Sequence, residues 1–293
     1  MNTNGNISRR SALRVAAGSA LAVGTGLSTL DAAAEKLQVG DSGPFRHSLC
    51  RWCFSKIPLP ELAARAKALG FESIELLDPA EWPVVREAGL ACAVANGTTD
   101  ISIGFNRLEN HARFVPSMSE RLVAAARAGI PNVIVFSGNR NGISEEEGLE
   151  NCAKGLRQIV GTAEKEKVTI VMELLNSRVN HPDYQCDRTS WGVELVKRVG
   201  SERFKLLYDI YHMQIMEGDV ISTIRANHDY IAHYHCAGVP GRHDLDENQE
   251  LNYGAISRAI AATGYRGFMT QEFLPQGDPF QALADAKKTC LGI

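Results

Sequence analysis

The sequence predicts an α/β protein, a single (β/α)8 TIM barrel preceded by a cleavable export signal. After residue 44, short β-rich runs alternate with helical patterns at a period of about thirty residues. Several runs, such as 133–136 and 168–172, are continuously apolar, as expected of parallel strands that are covered on both faces. The length of 293 residues also fits, since such barrels commonly contain about 250 residues as one domain.

Eight strand–helix units follow one another along the chain. The strands are predicted at residues 45–53, 73–77, 91–96, 132–136, 168–174, 205–210, 231–236 and 267–273. The helices are predicted at residues 60–69, 80–88, 111–128, 145–165, 191–199, 220–227, 253–263 and 279–290. Eight units of one composition favour a closed barrel over an open doubly wound sheet. The first strand is not followed by a GxGxxG or GxxxxGK[ST] loop, which argues against a dinucleotide or P-loop fold.

Residues 1–34 have the composition of a twin-arginine signal peptide. Arg9 and Arg10 precede a weakly apolar stretch at 15–27, and Ala32, Ala33 and Ala34 offer small residues for cleavage. The alternative is a basic N-terminus that is never cleaved. The sequence therefore predicts recognition by the twin-arginine export machinery, a periplasmic or other extracytoplasmic location, a linker at 35–44 and a catalytic barrel at 45–293. This route carries folded proteins, so a metal ion could be inserted before export.

The composition limits which kinds of partner the protein is expected to have. The 31 Lys and Arg and 34 Asp and Glu give a net charge of −3 without long runs of one sign, which argues against a nucleic-acid partner. The longest apolar candidate is diluted by Gly, Ser and Thr, so no membrane span is predicted. Seven cysteines at irregular spacing do not resemble a disulfide framework, and we expect Cys50 and Cys53 to have a structural role, with a disulfide after export as the alternative. Whether the chain forms a homo-oligomer is left open.

Polar residues that end apolar strands indicate where the chemistry lies, because a barrel of this type carries its active site at the carboxyl ends of its strands. Glu173, Asp209, His235 and Glu272 occupy such positions in four successive units, at separations of 36, 26 and 37 residues. Three carboxylates in one pocket would repel each other without a cation. Three oxygen ligands and one imidazole suit a single divalent metal ion, Mn²⁺, Mg²⁺ or Co²⁺, better than a closed structural zinc site.

His233 and His235 lie on the same predicted strand. We expect only one of them to face the pocket. We choose His235, because His233 lies near the start of the strand and could pack between the strand and a helix.

The run 207–218 (LYDIYHMQIMEG), with Glu173 to Asn176 before it and Val239 to Arg242 after it, resembles the hydroxypyruvate isomerases. That family belongs to the xylose isomerase-like superfamily of barrels, which includes ketose 3-epimerases and endonuclease IV, and the similarity extends over most of residues 45–290. The resemblance implies metal coordination by Glu173, Asp209, His235 and Glu272, with the two glutamates as the proton-transferring pair. It also implies that His212, Arg242 and Asn176 bind the substrate.

Two features depart from the family pattern. His235 stands where hydroxypyruvate isomerases typically have Gln and ketose epimerases have His, and residues 243–249 replace a shorter loop richer in glycine. The substrate is therefore left open.

The reaction implied is isomerisation of a small hydroxy-carbonyl substrate through an enediolate, as in the interconversion of hydroxypyruvate and tartronate semialdehyde. The alternatives are a ketose 3-epimerase, an exported sugar-binding barrel without turnover, and a phosphodiesterase, which should have more histidines and a basic groove. Segments containing Trp52, Trp82, Phe105 and Asn106 are candidates to close over the pocket.

Overall fold

The computed structural model describes residues 44–292, and within them eight parallel strands form a nearly closed barrel. The strands are β1 Arg46–Cys50, β2 Ser73–Glu75, β3 Val94–Ala95, β4 Asn132–Val135, β5 Thr169–Glu173, β6 Phe204–Asp209, β7 Ile231–Cys236 and β8 Phe268–Gln271. Their order around the barrel is β2-β1-β8-β7-β6-β5-β4-β3, and isolated parallel bridges from Ser73 to Ala91 and from Leu77 to Ala95 bring the two edges together. The predicted (β/α)8 barrel is thereby confirmed.

Helices connect the strands on the outside of the barrel. They are α1 Leu59–Ala68, α2 Trp82–Glu87, α3 Leu108–Ala128, α4 Glu145–Glu166, α5 Thr189–Val199, α6 Ile210–Met216, α7 Val220–Asn227, α8 Tyr253–Ala262 and α9 Pro279–Leu291, with 3₁₀ helices at Arg51–Phe54 and His228–Tyr230. In the described part of the chain, none of these helices has the length and apolar character needed to cross a membrane. The predicted signal peptide at 1–34 and the predicted linker up to residue 43 lie outside the described residues.

Local sequence explains where the helices begin and end. Ser144 caps α4 by accepting a hydrogen bond from the backbone N–H of Glu147, and acidic residues fill the first turn, where they interact favourably with the helix dipole. Gly129 ends α3 at a φ of 74°, a left-handed conformation that glycine adopts without steric penalty. The chain can therefore turn directly from α3 into β4.

Several strands are shorter than predicted, β3 most of all with two residues, and two elements at the barrel mouth differ in kind. The first strand ends at Cys50 rather than Cys53, because residues 51–54 form a 3₁₀ helix at the barrel mouth. A helix that was not predicted, α6, starts immediately after Asp209 without an intervening loop. Both differences lie at the carboxyl ends of strands, where the polar side chains gather.

The interior of the barrel is apolar at its base and polar at its mouth. A small core of Ala93, Val94, Ile134, Val171, Leu207 and Phe268 fills the space between the strands. Side chains alternate along a strand, so Glu173 and Asp209, each two residues beyond a member of this core, point to the same interior. A larger core packs between the strands and the helices.

Candidate functional site

The structure brings Glu173, Asp209, His235 and Glu272 together at the carboxyl ends of β5 to β8. One ligand atom from each lies within 4.8 Å of those of the others, and all four side chains are buried. Strand register explains the convergence, since Asp209 pairs with His235 in the β6–β7 ladder and Glu272 follows the last residue of β8. The chosen residues thus form a cluster that could hold one metal ion, while their roles stay predictions.

Asp209 joins this cluster to helix α6. Its Oδ1 accepts a hydrogen bond of 3.1 Å from the backbone N–H of His212, which makes Asp209 the N-cap of the helix. Its Oδ2 lies 3.5 Å from Nη2 of Arg242, the nitrogen that also contacts Oε2 of Glu272. One carboxylate therefore fixes the start of α6 with one oxygen and offers the other to the cluster.

His235 is held at both ring nitrogens. Nδ1 lies 2.8 Å from Oε2 of Glu272 and 3.5 Å from Oε1 of Glu173, and Nε2 lies 2.8 Å from Oε1 of Glu75. His235 faces the cluster, as expected. The expected location of His233 between strand and helix is wrong, because residues two apart on a strand share a face. His233 points into the barrel, with Nε2 2.9 Å from Oε1 of Glu75.

Glu75 is the main site residue that the sequence analysis missed. It ends β2, is fully buried, and its carboxylate contacts both histidines and the hydroxyl of Thr270. Burial raises its pKa, but His233 and His235 outweigh that effect and lower the pKa to about 2. Glu75 lay in the middle of the predicted strand 73–77, before Leu76 and Leu77, so it lacked the strand-end position by which the other residues were chosen.

Arg242 supplies the positive charge beside the cluster. Its Nη2 lies 2.6 Å from Oε2 of Glu272, and its Nε donates to the backbone carbonyl of Glu272. The backbone of Arg242 is left-handed, with φ of 59°, which is unfavourable for a residue with a side chain. Burial lowers the pKa of the guanidinium, but Glu272 and Asp209 raise it above its usual range. Arg242 is therefore a fixed cation on a strained turn.

His212 and Asn176 form a buried pair beside Arg242. Nδ1 of His212 accepts a hydrogen bond of 3.1 Å from the backbone N–H of Asn176, and its Nε2 lies 3.1 Å from Nη1 of Arg242. Burial and the charge of Arg242 lower the pKa of His212 well below its usual value, so the ring is neutral. The side chain of Asn176 contacts His212 and the turn at residues 179–180, so in this structure it binds protein groups.

Of the four residues in segments expected to close over the pocket, Trp52 contacts the cluster. Its indole N–H donates a hydrogen bond of 2.7 Å to Oε1 of Glu272, and its ring lies 5.0 Å from the guanidinium carbon of Arg242. Trp82 donates instead to the backbone carbonyl of Leu77, while Phe105 is buried in the core and Asn106 binds Asn139 and Gln185. Trp52 therefore covers the site from the 3₁₀ helix after β1. Cys50 and Cys53, on either side of it, are free thiols.

The cluster contains more carboxylates than the neighbouring positive charges can neutralise. Burial, and then the charge of Glu272, raise the pKa of Glu173. Burial raises the pKa of Asp209 to about 8, which Arg242 only partly counteracts. Burial also acts on Glu272, but Arg242 and His235 outweigh it and hold its pKa well below the usual range. Burial and mutual repulsion therefore disfavour three ionised carboxylates here, and a bound cation would relieve that repulsion.

Comparison with curated proteins identifies relatives over most of the described chain. The human protein named "Putative hydroxypyruvate isomerase" is 28% identical over 250 residues, which cover 80% of this chain and 90% of the human one. The 2-oxo-tetronate isomerase of Cupriavidus necator is 29% identical over 228 residues, covering 74% of this chain and 77% of its own.

Solved structures and a family model agree on the fold. The crystal structure of an AP endonuclease, family 2, from Brucella melitensis superimposes with a TM-score of 0.73 at 25% identity, covering 82% of this chain and 97% of that one. The family model for the xylose isomerase-like TIM barrel matches residues 63–289. With this match over most of its length, the chain belongs to the xylose isomerase-like TIM barrel family.

Proposed function

We propose that this protein is a metal-dependent isomerase that converts a small hydroxy-carbonyl substrate through an enediolate, with hydroxypyruvate and tartronate semialdehyde as the leading pair. The observation that carries the proposal is the cluster of three carboxylates and one imidazole within 4.8 Å, buried at the mouth of the barrel. The names of the relatives, hydroxypyruvate isomerase and 2-oxo-tetronate isomerase, support the same class of reaction.

The residues fit one divalent cation. Glu173, Asp209, His235 and Glu272 would hold it, since three oxygens and one nitrogen suit Mn²⁺, Mg²⁺ or Co²⁺. Oε1 of Glu173 is buried and has no hydrogen-bond partner among the described residues, and a cation would satisfy it. When bound, such an ion would acidify the C–H next to the substrate carbonyl and stabilise the enediolate.

Glu173 and Glu272 are the candidates for proton transfer. They approach the same ring nitrogen of His235, Nδ1, at 3.5 Å and 2.8 Å, so both border one small space. One would take the proton from the substrate, and the other would return it to the neighbouring carbon.

His212 and Arg242 are the candidates for binding substrate oxygens. Nε2 of His212 lies 3.1 Å from Nη1 of Arg242, which can only donate a hydrogen bond. The imidazole and the guanidinium therefore border the same space, where a substrate oxygen would bind. The guanidinium of Arg242 would pair with the carboxylate of a 2-oxo acid. The ring of Trp52 lies beside it, with its centroid 5.0 Å from the guanidinium carbon.

A ketose 3-epimerase acting on a larger sugar is the second candidate. The presence of His235, where hydroxypyruvate isomerases typically have Gln, favours it. Epimerisation would use the same two glutamates, with the proton returned to the opposite face of the carbon. A barrel that binds sugar without turnover is a third possibility.

Proton exchange in deuterated buffer distinguishes these candidates. The protein is supplied with Mn²⁺ and a panel from hydroxypyruvate to six-carbon ketoses, and wild type is compared with Glu272→Gln and with Glu247→Gln, which removes the same charge from an exposed loop. Exchange that requires the metal and disappears only in Glu272→Gln supports enediolate chemistry, and the substrate that exchanges identifies the class. Metal binding without exchange on any substrate would contradict the isomerase and favour a binding role.

We also propose, from residues 1–34 alone, that the protein is exported by the twin-arginine route. Replacing Arg9 and Arg10 by Lys should retain the unprocessed protein in the cytoplasm, as judged by cell fractionation and mass. Unchanged location and mass would contradict this proposal.

A further inference from the structure

Below the candidate metal cluster lies a second group of buried polar residues, made of Glu75, His233, Thr270 and the far side of His235. Glu75 is fully buried, and its two oxygens make three contacts of 2.8 to 2.9 Å. Oε1 faces Nε2 of both histidines, and Oε2 accepts from the hydroxyl of Thr270. Nothing in the proposed reaction uses Glu75 directly.

The position of Glu75 in the barrel is unusual for a charged residue. It belongs to β2, whereas His235 belongs to β7, and β1 and β8 lie between them in the sheet. The carboxylate therefore reaches across the interior of the barrel to contact a residue 160 positions away in the chain. A carboxylate in such a place is retained at a substantial desolvation cost, which its two histidine contacts offset.

His235 connects the two groups through opposite edges of one ring. Nε2 is 2.8 Å from Glu75, and Nδ1 is 2.8 Å from Glu272 and 3.5 Å from Glu173. An Nε2–H donated to Glu75 leaves Nδ1 as the ring nitrogen that faces the cluster. The hydrogen bond also opposes a 180° flip of the ring, which would place carbon atoms where the two nitrogens lie.

We propose that Glu75 is a positioning residue of the metal centre, which orients His235 through Nε2 so that Nδ1 binds the cation. The proposal rests on the proposed function, in that the cluster must bind a metal ion. The carboxylate makes the imidazole a stronger ligand and selects the nitrogen that binds, as carboxylates behind metal-bound histidines generally do. His233 and Thr270 hold Glu75 in place.

The geometry argues against a second ion held by Glu75, His233 and His235 themselves. Oε1 of Glu75 contacts Nε2 of both histidines and Oε2 accepts from Thr270, so neither oxygen lacks a partner, whereas Oε1 of Glu173 in the cluster above has none among the described residues. Each contact is satisfied by protons already on the side chains. The group therefore acts as a hydrogen-bonded support for the centre above it.

Mn²⁺ affinity of the Glu75→Gln variant tests the proposal. Gln keeps an oxygen for the two histidines and an N–H for the hydroxyl of Thr270, so the hydrogen bonds can be retained while the charge is lost. We expect Mn²⁺ to bind about 10- to 100-fold more weakly, measured from the electron paramagnetic resonance signal of free Mn²⁺. The control is Glu61→Gln, which removes the same charge from the exposed surface of α1 and should bind as wild type does.

A double-mutant cycle separates positioning from a general effect on stability. His235→Gln keeps an oxygen ligand but has no second ring nitrogen for Glu75 to hold. If Glu75 acts through His235, adding Glu75→Gln to His235→Gln should change Mn²⁺ affinity by less than about threefold. Thermal unfolding of every variant without metal reports whether the fold is retained. If Glu75→Gln does not fold, Thr270→Val, which removes one support of the carboxylate, should weaken Mn²⁺ binding by a few-fold.

Two results would overturn the proposal, and they differ in what they say about function. Wild-type affinity in Glu75→Gln, or equal losses with and without His235, would exclude a positioning role and leave the proposed isomerase intact. A wild-type protein that does not bind Mn²⁺ would overturn both the proposed metal centre and the role of Glu75.

Discussion

The indole N–H of Trp52 donates a hydrogen bond of 2.7 Å to Oε1 of Glu272, across 220 residues of sequence. The other oxygen of Glu272 contacts His235 and Arg242. Each oxygen of this carboxylate is therefore held by a separate part of the chain. Because Trp52 also lies over Arg242, one residue both orients a candidate proton-transfer group and covers the pocket.

Trp52→Phe should slow proton exchange on the substrate by about 10- to 100-fold. A hydrogen bond to a charged group contributes about 1.5 to 3 kcal/mol, and its loss leaves Oε1 of Glu272 free to leave its reactive orientation. The rate is measured as deuterium incorporation at saturating Mn²⁺. Trp82→Phe is the matched control, since Trp82 donates to a backbone carbonyl and should leave the rate unchanged. Equal losses in both variants would show a general effect on stability.

Arg242→Lys should raise the KM for hydroxypyruvate by about 10- to 100-fold. Lys keeps the charge but cannot form the forked pair of hydrogen bonds with a carboxylate. The loss should be smaller for a neutral ketose, and comparing the two substrates by steady-state kinetics tests this. Arg258→Lys, on the exposed surface of α8, is the control. The same loss on both substrates would mean that Arg242 acts on Glu272 and Asp209 and does not recognise a carboxylate.

Sequence predicts the barrel well because its signals are local. Each strand and helix has its own periodicity, and three of the cluster residues, Glu173, Asp209 and Glu272, are recognisable as charges that end apolar strands. The partners of these residues are not local. Glu75 ends a strand of only three residues, and its histidines lie 158 and 160 positions away.

The local sequence pattern also failed to predict two short helices at the mouth of the barrel. The 3₁₀ helix at Arg51–Phe54 continues a run that is apolar enough to extend β1, and its turn directs Trp52 toward Glu272. Helix α6 begins within a motif that reads as the end of β6, because Asp209 serves both as strand end and as N-cap. In both cases the residues at the strand end also fit a longer strand, so the sequence pattern does not show where the helix begins.

Removing divalent metal should lower the thermal stability and abolish exchange. A ligand present at 100 times its Kd stabilises the folded state by about 2.7 kcal/mol, which corresponds to a rise in Tm of about 5 to 10 °C for a domain of this size. The shift is measured by calorimetry with EDTA and then with excess Mn²⁺. Asp209→Asn keeps an N-cap for α6 but removes a charged ligand, so its Tm should respond little to Mn²⁺. A wild-type Tm that does not change when Mn²⁺ is added would contradict the proposal of a metal centre.

The stability of the protein should fall as the pH is lowered from about 6.5 to about 4, and His47 should account for part of that fall. His47 lies on β1, fully buried between Phe45 and Phe71, and neither ring nitrogen has a hydrogen-bond partner among the described residues. Burial, and then the charge of Lys287, lower its pKa from 6.5 to about 4. Between these values the unfolded chain binds a proton that the folded protein does not, so folding becomes less favourable as the pH falls.

The expected contribution of His47 is about 3 kcal/mol of unfolding free energy lost across that range. Urea unfolding of wild type and His47→Leu at a series of pH values measures it, because carboxylates common to both proteins cancel in the difference. The variant should lose less stability than wild type on acidification, whatever its stability at pH 7.5. Parallel curves for the two proteins would mean that the imidazole is protonated without leaving its site, and that the barrel can accommodate a charge behind β1.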